Sequence, residues 1–181
     1  MSGPLYILLD RDGVINRESV DFIKSPDEWL PLSGSLEAIA LFNRQGYKVV
    51  VITNQSGISR GKFDAAMLER IHDKMCTMAA RAGGAIERIY YCPHGPEDDC
   101  ACRKPKPGLL EAFAADYQAV LDEIFFIGDS FRDLEAGWAA GARPALVKTG
   151  NGLETLNQHP DLTIPVFENL YDAATQILSR Q

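Results

Sequence analysis

The stretch Leu5-Tyr6-Ile7-Leu8-Leu9-Asp10-Arg11-Asp12-Gly13 decides the fold. Five apolar residues without a break, followed at once by two carboxylates, form the pattern of a strand buried on both faces of a parallel sheet, with charge at its carboxyl end. Working outward, the same pattern recurs. Lys48-Val49-Val50-Val51-Ile52 runs into Thr53-Asn54-Gln55-Ser56-Gly57, and Ile124-Phe125-Phe126-Ile127 runs into Gly128-Asp129. Ile86 to Tyr91, Pro144 to Val147 and Ile164 to Phe167 supply three more predicted strands. Helical spacing fills the gaps. Leu36, Ile39, Ala40 and Phe42 predict a helix over Ser35 to Gln45, with Ser33 or Ser35 as cap and Gly46 as stop. Asp64 caps a longer one through Arg81, with Leu68, Ile71, Met75 and Met78 on its core stripe. Pro105 and Pro107 delay the next helix to Gly108; Phe131 to Ala140 is stopped by Gly141, and Leu170 to Leu178 closes the chain. Strands alternating with helices across short connections predict a three-layer, Rossmann-like α/β fold with a mainly parallel sheet, built as one domain over residues 1–181.

Composition narrows the function classes. The chain has 181 residues, 46% of them hydrophobic, and its 18 Lys and Arg against 25 Asp and Glu leave a formal charge of -7. That length supports one sizeable core. An acidic balance without a Lys/Arg block argues against a nucleic-acid or anionic-membrane binder. No run approaches the roughly 18 apolar residues of a membrane span, and Met1-Ser2-Gly3-Pro4 does not resemble a signal peptide. The expectation is a cytosolic monomer. In that compartment thiols stay reduced, so Cys76, Cys92, Cys100 and Cys102 are read as metal ligands or small packing residues.

In open parallel sheets ligands bind beyond the carboxyl ends of the strands. Asp10, Asp12, Thr53 and Asp129 all stand there. Each alone could be a turn residue, and Asp129 could be a helix cap. Together, carboxylates converging on one sheet edge repel one another unless a cation sits among them. The all-oxygen set Asp10, Asp12 and Asp129 suits Mg²⁺. A second set is softer: Cys92, His94, Cys100 and Cys102 lie in a polar loop over residues 92–102 that has no core to hide thiols, and Cys₃His suits a structural Zn²⁺. Cys76 is expected to pack in a helix, and His72 and His159, without sequence partners, are expected to have no role.

Asp10-Arg11-Asp12-Gly13-Val14-Ile15-Asn16, Thr53-Asn54, Lys104 and Gly128-Asp129-Ser130-Phe131-Arg132-Asp133 resemble, in order, the four motifs of the haloacid dehalogenase superfamily. The zinc segment running into Cys102-Arg103-Lys104-Pro105-Lys106-Pro107-Gly108, with Tyr90-Tyr91-Cys92-Pro93-His94 and Thr53 to Gly61, is similar to its branch of heptose bisphosphate and histidinol-phosphate phosphatases, nearer the former. The resemblance implies Mg²⁺-dependent phosphomonoester hydrolysis, removing the 7-phosphate of a heptose bisphosphate made for surface polysaccharide. It implies Asp10 as nucleophile forming an aspartyl-phosphate and Asp12 as general acid and base. Thr53 and Lys104 would stabilise charge, and Asp133 would partner Lys104 or the metal. The metal would be held by Asp10, Asp129 and the Asp12 carbonyl. Asn54, Gln55, Ser56, Arg60, Arg103, Lys104 and Ser130 are the implied substrate contacts. The interval between Gly13 and Thr53 is largely spent on a core helix and strand, so loops, not a cap domain, must enclose a small phosphorylated sugar. Competing expectations are histidinol phosphate as substrate, a DNA 3′-phosphatase disfavoured by the acidic charge, and a non-catalytic zinc-stabilised interaction module. The last does not explain why both Asp10 and Asp12 are present.

Overall fold

The computed structural model describes residues 4–179; Met1, Ser2 and Gly3, part of the stretch read for a signal peptide, lie outside the described residues. The strands are β1 (Leu5–Leu9), β2 (Tyr47–Asn54), β3 (Ile86–Cys92), β4 (Phe125–Gly128), β5 (Arg143–Val147) and β6 (Val166–Phe167). The helices are α1 (Ser35–Arg44), α2 (Ala65–Arg81), α3 (Gly108–Tyr117), α4 (Phe131–Ala140), α5 (Gly152–Gln158) and α6 (Leu170–Leu178). The six strands form one sheet in the order β3-β2-β1-β4-β5-β6, and every pairing is parallel.

Strand periodicity explains the layers. Along β1, Ile7 and Leu9 face a core shared with α1, α2 and α6, while Tyr6 and Leu8 face one built on α3 and α4. Both faces are covered, which is why β1 reads as an unbroken apolar run. The chain order reverses at β1, with β2 on one side and β4 on the other, so the carboxyl ends of β1 and β4 flank a switch-point crevice. Leu9 pairs with Ile127, and the Asp10 N–H donates to the Ile127 carbonyl at 2.9 Å. The residue after each strand is thereby fixed level with its neighbour.

Several sequence expectations need correction. Neither Ser33 nor Ser35 caps α1: the cap position is Gly34, at φ 78°, and the Ser35 hydroxyl donates to the carbonyls of Ile15 and Leu32. The cap is thus replaced by an anchor for the loop beneath the helix. Helix α5 was not expected; its seven residues carry too short a pattern to register a helical period. Asp64 does cap α2, accepting from the Met67 N–H at 2.8 Å. Cys76 is half-buried, with burial raising its thiol pKa. The segment between Arg17 and Ser33 holds only a short 3₁₀ turn, Pro26–Glu28, tied down by the Lys74 ammonium of α2, which donates to the carbonyls of Pro26 and Trp29.

The α1 side of the core rests on Phe42, fully buried and edge-on to Tyr47 with ring centroids 5.7 Å apart. Phe42→Ala removes that ring from a close-packed site and is expected to cost about 3–5 kcal/mol of unfolding free energy, read as a lower urea midpoint at unchanged slope.

Candidate active site

The site grows from the strand ends. Asp10 follows β1 and is buried; its Oδ1 accepts from the Arg11 N–H at 2.7 Å and lies 2.9 Å from the Lys104 ammonium. Its Oδ2 has no protein donor among the described residues, so one carboxylate oxygen is fixed and the other faces the cleft. Burial raises the Asp10 pKa to about 7 against the pull of Lys104, with repulsion from Asp133 and Asp12 adding to the rise.

Lys104 lies outside the strands and reaches the site from the segment after the cysteine loop. Its ammonium donates to the Ile52 carbonyl at 3.0 Å and pairs with Asp10 at 2.9 Å and Asp133 at 2.7 Å. The ammonium thus makes one hydrogen bond, to Ile52, and two ion pairs, with Asp133 Oδ1 left without a hydrogen bond of good geometry. Burial works against the charge, but Asp10 and Asp133 outweigh it and hold the lysine pKa above its ordinary value. Lys104 therefore serves first to orient the Asp10 carboxylate. Asn54 fixes its backbone: the side-chain amide donates to the Lys104 carbonyl and accepts from the Lys104 N–H, both at 3.1 Å. Asn54 lines the cleft, yet its amide is spent on positioning Lys104.

Asp12 is held by donors alone. Arg11 reaches it through Nε at 3.1 Å and Nη2 at 2.9 and 3.0 Å, Asn16 through Nδ2 at 2.8 Å and Gln55 through Nε2 at 3.0 Å. Burial alone would raise its pKa; the Arg11 charge and these hydrogen bonds overcome burial and keep it below the ordinary carboxylate value. Gln55 Nε2 also donates to the Thr53 hydroxyl at 3.0 Å, and that hydroxyl makes a long 3.5 Å contact to the Asn54 carbonyl.

Asp129 follows β4. Its Oδ2 accepts from the Asn151 backbone N–H at 2.8 Å and the Asn151 amide at 3.1 Å. Gly13 and Gly150 pass so close that a Cβ on either would collide with this carboxylate. Burial, with repulsion from Asp133 and Asp10, raises its pKa to about 8. Asp129 does not cap α4; Ser130 does, in a capping box with Asp133. Asp133 Oδ2 accepts from the N–H groups of Asp129 and Ser130 and the Ser130 hydroxyl, and Oδ1 faces Lys104.

Asp10, Asp129 and Asp133 bring carboxylate oxygens within 4.8 Å of one another. Asp133 is committed to its helix cap and Lys104, leaving Asp10 and Asp129, two buried carboxylates whose pKa values are raised by burial and repulsion. A hard cation relieves that frustration, and an all-oxygen set fits Mg²⁺. The softer set also converges: Cys92 Sγ lies 3.6 Å from Cys100 Sγ and 3.1 Å from Cys102 Sγ, and His94 Nδ1 lies 3.5 Å from Cys92 Sγ and 3.3 Å from Cys102 Sγ. Tetrahedral Zn²⁺ spaces its ligands at about 3.8 Å for S···S and about 3.5 Å for S···N, from its usual bond lengths. Three thiols and an imidazole whose ligand atoms all lie within 4.8 Å of one another fit a closed Zn²⁺ site.

A cleft of about 130 Å³ is lined by Asp10, Asp12, Thr53, Asn54, Gln55, Ser56, Arg103 and Lys104, together with Glu18, Ser19, Phe22, Ile23 and Arg132. Arg60 and Ser130, expected to touch substrate, do not line it. Arg60 is exposed with its guanidinium over the Phe22 ring, and Ser130 is buried in the α4 cap. Sequence reasoning missed Arg132, inside the quoted fourth motif, and Asn151, which the strand-end rule applied to β5 could have found. Glu18 carried no local signal; the Asn151 amide ties it to Asp129 at 3.1 Å.

A family model described as HAD-hydrolase-like matches residues 101–173. The D-glycero-beta-D-manno-heptose-1,7-bisphosphate 7-phosphatase of Bordetella bronchiseptica is 51% identical over 174 residues, covering 95% of this chain and 97% of the relative. The like-named protein of Pseudomonas aeruginosa is 49% identical over 173 residues, covering 95% and 97%. The crystal structure of the D,D-heptose 1,7-bisphosphate phosphatase from B. bronchiseptica, complexed with magnesium and phosphate, superposes with a TM-score of 0.95 at 49% identity over 98% of this chain and 99% of that one. On this near full-length likeness, the chain belongs to the heptose-1,7-bisphosphate 7-phosphatase family of HAD-like hydrolases.

Proposed function

We propose that the protein removes the 7-phosphate of D-glycero-β-D-manno-heptose 1,7-bisphosphate through an aspartyl-phosphate on Asp10. The observation that carries this reading is that one cleft joins the Asp10 centre to two guanidiniums, Arg103 and Arg132. Burial and the neighbouring Arg132 charge lower the Arg103 pKa, while nearby carboxylates hold the Arg132 pKa up against burial, so Arg103 is the guanidinium that a second phosphate would relieve. A substrate with two phosphates satisfies both ends, whereas histidinol phosphate satisfies one. The β-anomer follows the names of the relatives.

In the first displacement, Asp10 Oδ2 attacks phosphorus, the bond from phosphorus to the sugar 7-oxygen breaks, and Asp12 passes a proton to that oxygen. Donors hold Asp12 ionised in the free site; the incoming phosphate places negative charge beside it, raises its proton affinity, and so Asp12 takes up a solvent proton on substrate binding before passing it on. In the second, Asp12 takes a proton from water, the water oxygen attacks phosphorus, and the mixed-anhydride bond from phosphorus to Asp10 Oδ2 breaks, releasing inorganic phosphate and the free carboxylate. Asp10, Asp129 and the Asp12 carbonyl would hold Mg²⁺, which when bound offsets charge on the phosphoryl oxygens. The Thr53 hydroxyl donates to the phosphate, and the Phe22 and Ile23 side chains shield the cleft from water.

Zn²⁺ on Cys92, His94, Cys100 and Cys102 is proposed to stiffen the loop that delivers Arg103 and Lys104, the Arg103 guanidinium donating to the His94 carbonyl at 3.1 Å. Its thiolates require a reducing compartment, in keeping with the cytosol. A monomer is the assembly this reading proposes. One sheet runs from Leu5 to Phe167, in keeping with a single domain. No helix among the described residues is long and apolar enough to cross a membrane.

Phosphate-release assays on the two heptose bisphosphate anomers and histidinol phosphate test the substrate. The β-anomer is expected to give the highest kcat/KM, and faster turnover of histidinol phosphate would overturn the reading. Asp10→Asn is expected to abolish release while the far-ultraviolet circular dichroism stays unchanged. Metal analysis of protein purified without chelator should find about one zinc per chain. Stripping the zinc should lower both the melting temperature and kcat, because the Lys104 segment loses its anchor.

A further inference from the structure

Arg11 separates the two carboxylates of the first motif, and the site chemistry just described gives it no contact with substrate. It is nevertheless fully buried. Its side chain turns along the loop, so that Nε and Nη2 engage both oxygens of Asp12. The remaining guanidinium nitrogen, Nη1, lies 3.2 Å from Nε2 of His72 on α2. An arginine side chain has only donors, so Nε2 must be the lone-pair nitrogen and His72 a neutral acceptor. Burial, with the adjacent Arg11 charge, drives the histidine pKa down to about 3, in agreement. The imidazole is buried and edge-on to Tyr91, with ring centroids 6.1 Å apart. A chain of contacts therefore runs from α2 through His72 and Arg11 to the carboxylate that faces the leaving group.

We propose that Arg11 and His72 are positioning residues: His72 accepts from Arg11, and Arg11 so braced fixes the Asp12 carboxylate in the orientation that protonates the leaving sugar oxygen. An arginine alone can swing; its planar fork is useful only when its far side is also bound. Asn16 and Gln55 each give Asp12 one further donor, but only Arg11 spans both oxygens, so loss of its brace turns the carboxylate without emptying the site. Proton transfer depends steeply on such placement, and an offset of about 1 Å costs on the order of 100-fold. The inference rests on the assignment of Asp12 as general acid in the proposed phosphatase.

The test compares His72→Leu, which removes the acceptor, with His72→Gln, whose amide oxygen can replace Nε2. Each is assayed on the heptose bisphosphate, whose alkoxide leaving group needs a proton, and on an aryl phosphate, whose phenolate leaves without one. For both, kcat/KM reports only steps up to alcohol release. The bisphosphate kcat/KM is expected to fall on the order of 10- to 100-fold in His72→Leu. The loss should lie in kcat with KM within about threefold, the aryl phosphate value should change by less than about threefold, and His72→Gln should recover most of the loss. Equal losses on the two substrates, no loss on either, or no recovery in His72→Gln at matched melting temperature would each overturn the proposal. A wild-type protein inactive on the bisphosphate would instead overturn the function proposed above.

Discussion

One buried ammonium holds the active edge of this sheet together. The fold brings Asp10, Asp129 and Asp133 to the carboxyl ends of β1 and β4, out of water and close together. Lys104 is the cation inserted among them, within 3 Å of Asp10, Asp133 and the Ile52 carbonyl. Its charge pulls the Asp10 pKa down against burial, and it lets Asp133 stay ionised and cap α4 at once. Buried ions repay their desolvation only when geometry and hydrogen bonding are both good. That requirement explains why so much of the surrounding structure serves to place this side chain.

The dependence runs outward in steps. Asn54 closes two hydrogen bonds on the Lys104 backbone, and pairing of Asn54 with Cys92 ties the end of β2 to the start of the cysteine loop. Cys102 stands two residues before Lys104, so a metal gathering the four loop ligands sets the approach of the lysine to the sheet. The second carboxylate of the first motif is handled separately: Arg11, not Lys104, compensates Asp12, and His72 backs Arg11. Two carboxylates two residues apart thus sit in opposite electrostatic states, Asp10 raised to about 7 and Asp12 held low. The proposed roles need the reverse order, which a cation on Asp10 and an anionic phosphate beside Asp12 would each favour.

Much of this was legible in the sequence, because the apolar runs of β1, β2 and β4 and the polar residues that end them encode both the layers and the edge where ligands bind. The cysteine loop was legible for a similar reason: thiols in a segment too polar to bury them suggest a metal. What escaped was what depends on distance in the chain. Arg60 and Ser130 looked like substrate contacts from their motifs, but the fold turns one onto Phe22 and the other into a helix cap. Asn54 lines the cleft as expected, and its hold on the Lys104 backbone, 50 residues away, was what the sequence did not show. His72 offered no partner within its own helix, since Arg11 is 61 residues away. Helix α5 and Asn151 were missed because a seven-residue helix shows no clear period.

The central claim is that Lys104 and Asp133 are energetically coupled because the ammonium answers that carboxylate inside the protein. A double-mutant cycle in urea-induced unfolding measures this directly, with Lys104→Met, Asp133→Asn and the pair together. The account predicts that Lys104→Met alone costs about 3–5 kcal/mol, by leaving buried carboxylates unpaired. Asp133→Asn in that background should cost far less than in the wild type, giving a coupling of at least about 1.5 kcal/mol. Additivity within about 0.5 kcal/mol would contradict it.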